Sequence, residues 1–186
     1  VGDNTGKNVL NWNDYTWWEG NIIKYDIYRD EDSGPYTMIA SVPYTAAGEN
    51  MFTDDVSSII QGQGIFGYYI QAIEGNTTYN FADTSTSNIA DAYQDPRVYI
   101  PTGFNPKGTA NTIFKPVGVF VDLQSYDFSI FNRWGQLLFE TNDPTQGWDG
   151  TLHGKLVEEG VYVYHLTYTS GKGEFFNRLG TVTMLK

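Results

Sequence analysis

The chain of 186 residues has no cysteine, which excludes a disulfide framework, a thiolate metal site and a thiol nucleophile together. It has no stretch approaching the roughly 20 apolar residues of a membrane-spanning helix, and no basic segment leading into an apolar run as in a signal peptide. Bases are scarce. Against 22 Asp and Glu stand 11 Lys and Arg, a formal net charge of -11 that disfavours nucleic acid as a partner, since phosphate contacts need clustered cations. Histidine occurs twice, as His153 in a Gly-containing loop and as His165 within an alternating segment, where it reads as a sheet residue rather than a ligand. HExxH, GxSxG and Gly-rich phosphate loops are missing. Asp54 and Asp55 are adjacent and would point to opposite faces of a strand, while Asp30 to Asp32 fall in an expected hairpin loop, so neither makes a glycosidase-type carboxylate pair. The expectation is a chain with no catalytic residue, no cofactor and no metal. It begins at Val1 rather than Met, with a strand pattern already under way at Val9, and is expected to be a piece of a longer polypeptide with any export signal upstream.

What is abundant is aromatic: 5 Trp, 14 Tyr and 11 Phe can supply dense cores to small domains, which otherwise struggle to offset chain entropy. Helical periodicity is nearly absent. Short alternating runs recur instead between Gly, Asn, Asp and Pro punctuation. In the first half these are VLNW (9–12), KYDIYR (24–29), YTMIASVPY (36–44), GYYIQAIEG (67–75) and a weaker TSTSNIADAY (84–93), with one short helical turn expected over TDDVSSII (53–60). In the second half they are VYIPT (98–102), IFKPV (113–117), SYDFSIFNRW (125–134), QLLFET (136–141), GVYVYHLTYT (160–169) and EFFNRLGTVTMLK (174–186). Tyr162, Tyr164, Leu166 and Tyr168 share one face and Val163, His165 and Thr167 the other; two partly apolar faces predict an inner strand.

Charge divides where the pattern changes. Residues 1–97 carry 14 acids and 4 bases, residues 98–186 carry 8 and 7. Pro96, Pro101 and Pro106 stiffen the passage between the halves, which is too poor in Gly and Ser for a flexible linker. The fold predicted is all-β, with two consecutive antiparallel β-sandwiches, over residues 1–95 and 98–186.

The first half resembles a fibronectin type III module: Trp12, the IYR of residues 27–29, the turn Gly34 to Tyr36 and the run Tyr68 to Ala72 occur in that family's order. The resemblance implies a tyrosine corner at Tyr68, its hydroxyl bonded to nearby backbone, and a first strand mostly missing or reduced to Val1 and its neighbours. The second half resembles the gliding-motility-associated C-terminal domain, the type B sorting signal of the type IX secretion system in Bacteroidota. The motifs that carry this are IPTGFNP (100–106), IFKPVG (113–118), SIFNRWGQLLFET (129–141), GWDG (147–150), GVYVYHLTY (160–168) and RLGTVTMLK (178–186). It implies a non-catalytic targeting region, read by the outer-membrane type IX secretion machinery, that carries an N-terminal cargo to the cell surface or medium, with the first module as spacer. Where that family has an acidic loop suited to calcium, this chain has KGTANT (107–112), which offers no carboxylate. It also has VEEG (157–160) where the family tends to Pro and Ala.

Recognition by the export machinery is expected at Asn132, Arg133, Trp134 and Gly135 of the FNRWG turn, at Trp148, Asp149 and Gly150 of the GWDG loop, or along the final strand to Lys186, since a sheet edge can add a partner by backbone pairing. Each has an architectural reading beside it: Gly135 permits a positive-φ turn, Asn132 bonds locally, Arg133 lies over an aromatic ring, and Trp148 pins its loop. The rival function is a surface adhesion or carbohydrate-binding module centred on Trp17 and Trp18, which could stack on a glycan. Against it, one of the two fills the core while the other covers it.

Overall fold

A computed structural model describes residues 6–18, 20–46, 50–59, 61–75 and 83–185. All its regular elements are strands, and the fold is all-β and sandwich-type. Contacts gather the chain into two compact units, Val1–Ile60 with Gly64–Gln94, and Gln61–Gln63 with Asp95–Lys186.

The first unit contains β1 (Lys7–Trp12), β2 (Asn21–Glu31), β3 (Thr37–Pro43), β4 (Asn50–Asp55), β5 (Ile65–Gly75), β6 (Thr84–Thr86) and β7 (Ala90–Tyr93). One sheet is the antiparallel pair β1–β4. The other runs β3-β2-β5-β6, with β7 also on β5. Period-two alternation sends Tyr25, Ile27, Ile70 and Ala72 into the core, where Leu10, Trp12 and Trp18 pack on them. Full burial of each large apolar side chain is worth about 1.5–3 kcal/mol.

Three expectations are corrected here. Residues 53–55 are strand rather than helical turn: Asp54 and Asp55 pair with Asn8 and Lys7, and only a single turn follows, closed by the Ile59 amide on the Val56 carbonyl. Ile60 lies outside the described residues. The pairing available to β1 outweighs a local helix too short to nucleate alone. The Tyr68 hydroxyl bonds side chains instead of nearby backbone, donating to Asp54 Oδ2 at 2.7 Å and accepting from Asn8 Nδ2 at 2.8 Å. Asp30 is not in the hairpin loop but buried in β2, where its Oδ1 accepts the Gly67 amide at 3.0 Å. As for the reduced first strand, Val1 lies outside the described residues, and β1 pairs with β4 alone among those described.

The second unit contains β8 (Arg97–Tyr99), β9 (Gly103–Phe104), β10 (Val117–Val119), β11 (Asp122–Phe131), β12 (Leu137–Thr141), β13 (Thr151–Leu152), β14 (Lys155–Leu156), β15 (Gly160–Thr169) and β16 (Phe175–Met184). Its main sheet runs β12-β11-β15-β16-β9, so β15 is the inner strand its two apolar faces predict. The smaller pairs are β8–β10 and β13–β14. The sheet is antiparallel except at one end, where β9 lies parallel to β16 with Gly103 beside Thr183 and Phe104 beside Met184. Of the strand expected over 113–117, only Val117 lies in one. Phe114 makes an isolated bridge to Trp148, and Pro116, having no N–H to donate, delays regular pairing until Val117. The core joins Phe104, Phe114, Phe128, Trp148, Leu166 and Val182.

Candidate functional site

The β11–β12 hairpin ends in a turn that a single side chain organises. Gly135 takes φ of 78°, where a Cβ would strain the backbone. Asn132 Oδ1 accepts the amides of Trp134 at 2.9 Å and Gln136 at 3.0 Å, while its Nδ2 donates to Gln136 Oε1 at 2.9 Å. Two backbone bonds close the same turn, from the Asn132 amide to the Gln136 carbonyl and from the Gly135 amide to the Asn132 carbonyl, each 3.0 Å. The tip is thereby fixed without core contacts of its own. What it displays is Trp134, 80% exposed, with the Arg133 guanidinium 5.1 Å from its ring centroid. This cation–π contact sets a flat aromatic surface beside a positive charge at the tip.

Beside the tip lies a groove of about 430 Å³ whose walls include Leu138, Leu156 and Val161 and whose rim carries the exposed Glu158 and Glu159. Tyr162 donates its hydroxyl to the Glu158 carbonyl. Its pKa is raised, first by burial and then by the Glu158 charge, against the opposing charge of Arg133. The site therefore combines an exposed aromatic, a cation and two carboxylates.

The GWDG loop is built differently. Trp148 is wholly buried, edge-on to Tyr162 at 4.8 Å, with Nε1 donating to the Thr151 carbonyl at 2.9 Å. Its backbone exchanges two hydrogen bonds with Phe114. Asp149 is exposed, but its Oδ1 accepts both the Thr151 amide at 2.9 Å and the Thr151 hydroxyl at 2.8 Å. Gly150 is buried at φ 82°, and a Cβ there would lie 3.0 Å from the Met184 sulfur. In the folded unit the side chain of Trp148 and the position of Gly150 thus serve the core, leaving Arg133, Trp134, Gly135 and Asp149 as the exposed members of the predicted set. Lys186 lies outside the described residues. The end of the final strand is covered by β9, and the edge it leaves open lies earlier, at Phe175–Thr181.

Trp17 and Trp18 do not form a flat pair. Trp17 is 85% exposed, whereas Trp18 is half-buried against Tyr15, ring centroids 4.6 Å apart, and against the first core. Close to them in sequence, Asp14 gathers hydrogen bonds from Tyr25 Oη at 2.9 Å and Asn50 Nδ2 at 2.6 Å, and burial foremost, then Asp14, raises the Tyr25 pKa. A groove of about 1170 Å³ runs between Val9–Tyr15 and Ser85–Asn88. Also unforeseen is the buried polar chain of this unit, in which Arg29 pairs with Asp54 at 2.9 Å and Gln94 Nε2 donates to Asn8 Oδ1 at 2.8 Å. The inward parity of Asn8 and Asp54 in their strands was its one available signal. His165 Nε2 bonds Asn177 Oδ1 at 2.9 Å within the sheet. Among the described residues no three His, Asp or Glu side chains gather as for a metal ion.

Residues 98–182 match the family model of the CHU_C type IX secretion signal domain. No curated protein matches the chain. Among solved structures it is similar to the fibronectin(III)-like modules of Clostridium thermocellum CbhA, at 9% identity and a TM-score of 0.32, over 97% of this chain and 85% of that one. The family match supports a secretion-targeting role for the second unit, in a family that is non-catalytic, and export to the cell surface or medium.

Proposed function

We propose that residues 98–186 direct a cargo polypeptide, carried on their N-terminal side, across the bacterial outer membrane through the type IX secretion machinery. Residues 1–95 act as a fibronectin type III-like spacer, and the Arg133–Trp134 tip is the contact that the machinery reads. The observation that carries this is the tip itself: an aromatic side chain left 80% exposed in a segment that matches a secretion-signal family, on a turn held by Asn132. Buried aromatic and Arg anchors dominate protein interfaces, and a free protein that keeps one in solvent at an ordered turn presents such an anchor in advance. Adhesion to a surface glycan is the second reading, favoured by Trp17, 85% exposed.

The test fuses a fluorescent reporter ahead of the full 186-residue chain in a bacterium that has this secretion system, with an isogenic export-deficient strain alongside. Reporter reaching the surface or medium only in the competent strain is the expected result. Arg133→Ala with Trp134→Ala should lower export at unchanged reporter folding. A folded reporter retained in both strains refutes the targeting role, and undiminished export of the double variant refutes the tip.

A further inference from the structure

The free edge of β16 is written so that it can pair with itself. Which backbone groups face outward follows from both ends of the strand. At one end the Thr183 amide donates to the Thr102 carbonyl and the Leu185 amide to the Phe104 carbonyl, so odd-numbered residues point toward β9. At the other, the Ser170 amide donates to the Glu174 carbonyl, so even-numbered residues point toward β15. The register between β15 and β16 runs from Gly160 beside Met184 to Thr169 beside Phe175 without a shift. The N–H and C=O of Phe175, Asn177, Leu179 and Thr181 therefore face away from the sheet, and among the described residues β9 covers the edge only from Thr183 onward.

Edge strands are ordinarily blunted by lysine, proline or a bulge. The edge strand β12 lies across a bulge from β11, at Ile130/Phe131, and carries Glu140; β3 carries Pro43 and faces a bulge at Ile27/Tyr28. The stretch Phe175–Thr181 has no lysine, proline or bulge, and its one charge is Arg178. It instead exposes Phe175 at 67% and Leu179 at 73%.

Its order of side chains names the occupant. In Glu174-Phe175-Phe176-Asn177-Arg178 a carboxylate and a guanidinium flank Phe176 symmetrically, two residues to either side. An antiparallel copy centred on Phe176 sets Glu174 against Arg178 twice, Phe176 against Phe176, and Phe175 against Asn177, with the outward groups of Phe175 and Asn177 hydrogen-bonded in pairs. Glu174 and Arg178 are both exposed and neither has an ion-pair partner among the described residues. The slot also ends where it should. In that register Thr181 falls opposite Gly171, within the second chain's Ser170–Gly173 turn.

We infer that β16 is a self-association edge: two copies of this chain join through antiparallel pairing of their 174–178 segments, continuing the main sheet of one second unit into that of the other. This is independent of the export reading. The contact is short and weak, because a few residues of strand edge fall well below the roughly 1,200 Å² of a stable interface.

Sedimentation velocity of the full chain over a concentration series tests it, with charge reversals as the discriminating variants. Wild type should form a concentration-dependent dimer. Glu174→Arg and Arg178→Glu, each alone, place like charges opposite each other twice and should weaken it roughly tenfold or more. An equimolar mixture of the two variants restores both pairs and should dimerise at least as well as wild type. At dimerising concentrations the Phe175 and Asn177 amides of the wild-type chain should become slow to exchange, a readout that needs no variant. A monomeric wild type at the highest concentration, single reversals that dimerise unimpaired, a mixture that stays monomeric, or a dimer leaving those amides fast would overturn the inference.

Discussion

Gly180 offers a substitution for which local propensity and packing predict opposite signs. In an ordinary strand, replacing Gly by Ala removes backbone entropy from the unfolded chain and gains about 0.5–1 kcal/mol. Gly180 pairs across the sheet with Tyr164, whose ring lies over it: a Cβ there would stand 2.5 Å from Tyr164 Cζ and 2.9 Å from Cε1, closer than non-bonded carbons approach. Tyr164 packs on the second core and sits 5.9 Å from the Phe114 ring, so it cannot move aside without cost. Forcing a methyl into such a site costs about 1–3 kcal/mol. Gly180→Ala should accordingly destabilise the second unit, and in a Tyr164→Val background the same change should become neutral or stabilising, giving a coupling of about 2 kcal/mol or more between the two positions. The assay is urea unfolding followed on amide resonances of β11 and β15, which report the second unit alone. A Gly180→Ala that stabilises the wild-type chain, or that costs the same in both backgrounds, would refute the reasoning.

The Tyr126 hydroxyl is buried with no hydrogen-bond partner among the described residues, and burial pushes its pKa upward. Tyr126→Phe removes an unpaired polar group and should be neutral or stabilising by about 1 kcal/mol in the same unfolding experiment, where a loss of that size would reveal a partner. Burial acts to raise the Asp26 carboxyl, yet hydrogen bonds from Lys24 at 2.8 Å and Ser41 at 2.6 Å, with the ammonium charge, outweigh it and hold the pKa below the ordinary value. With the folded pKa below the unfolded one, its contribution to stability is complete above the unfolded value of about 3.9 and is lost as pH falls through the folded value. Carbon-detected titration of Asp26 should show a depressed midpoint, and Lys24→Met should raise it; an ordinary midpoint in the wild-type chain contradicts the ion pair.

Strands were most legible where alternation ran long. KYDIYR, GYYIQAIEG and GVYVYHLTYT each lie within β2, β5 or β15, because many consecutive positions agree on one face. The turn at Gly135 was equally readable, since its chemistry is local. What escaped depends on partners distant in sequence. Residues 53–55 are strand because β1, more than 40 residues earlier, supplies their ladder. Tyr68 finds Asn8 rather than its neighbours for the same reason. Of the expected recognition residues, Trp134 and Trp148 look alike as aromatics beside Gly and polar residues, and only packing separates the exposed one from the buried one. Whether the end of β16 was an edge or an internal strand was not legible, as the parallel contact that covers it comes from Gly103 and Phe104.

That parallel contact has a consequence for timing. The first strand of the main sheet along the chain, β9, is held by the last strand of that sheet, β16, with Gly103 beside Thr183. Pairing over such a separation is slow because the intervening loop must close first. A polypeptide cut short before residue 183 leaves β9 without its neighbour and Trp148 without the Met184 side of its core. The main sheet of the second unit thus closes at this end only when residues 183 and 184 are in place.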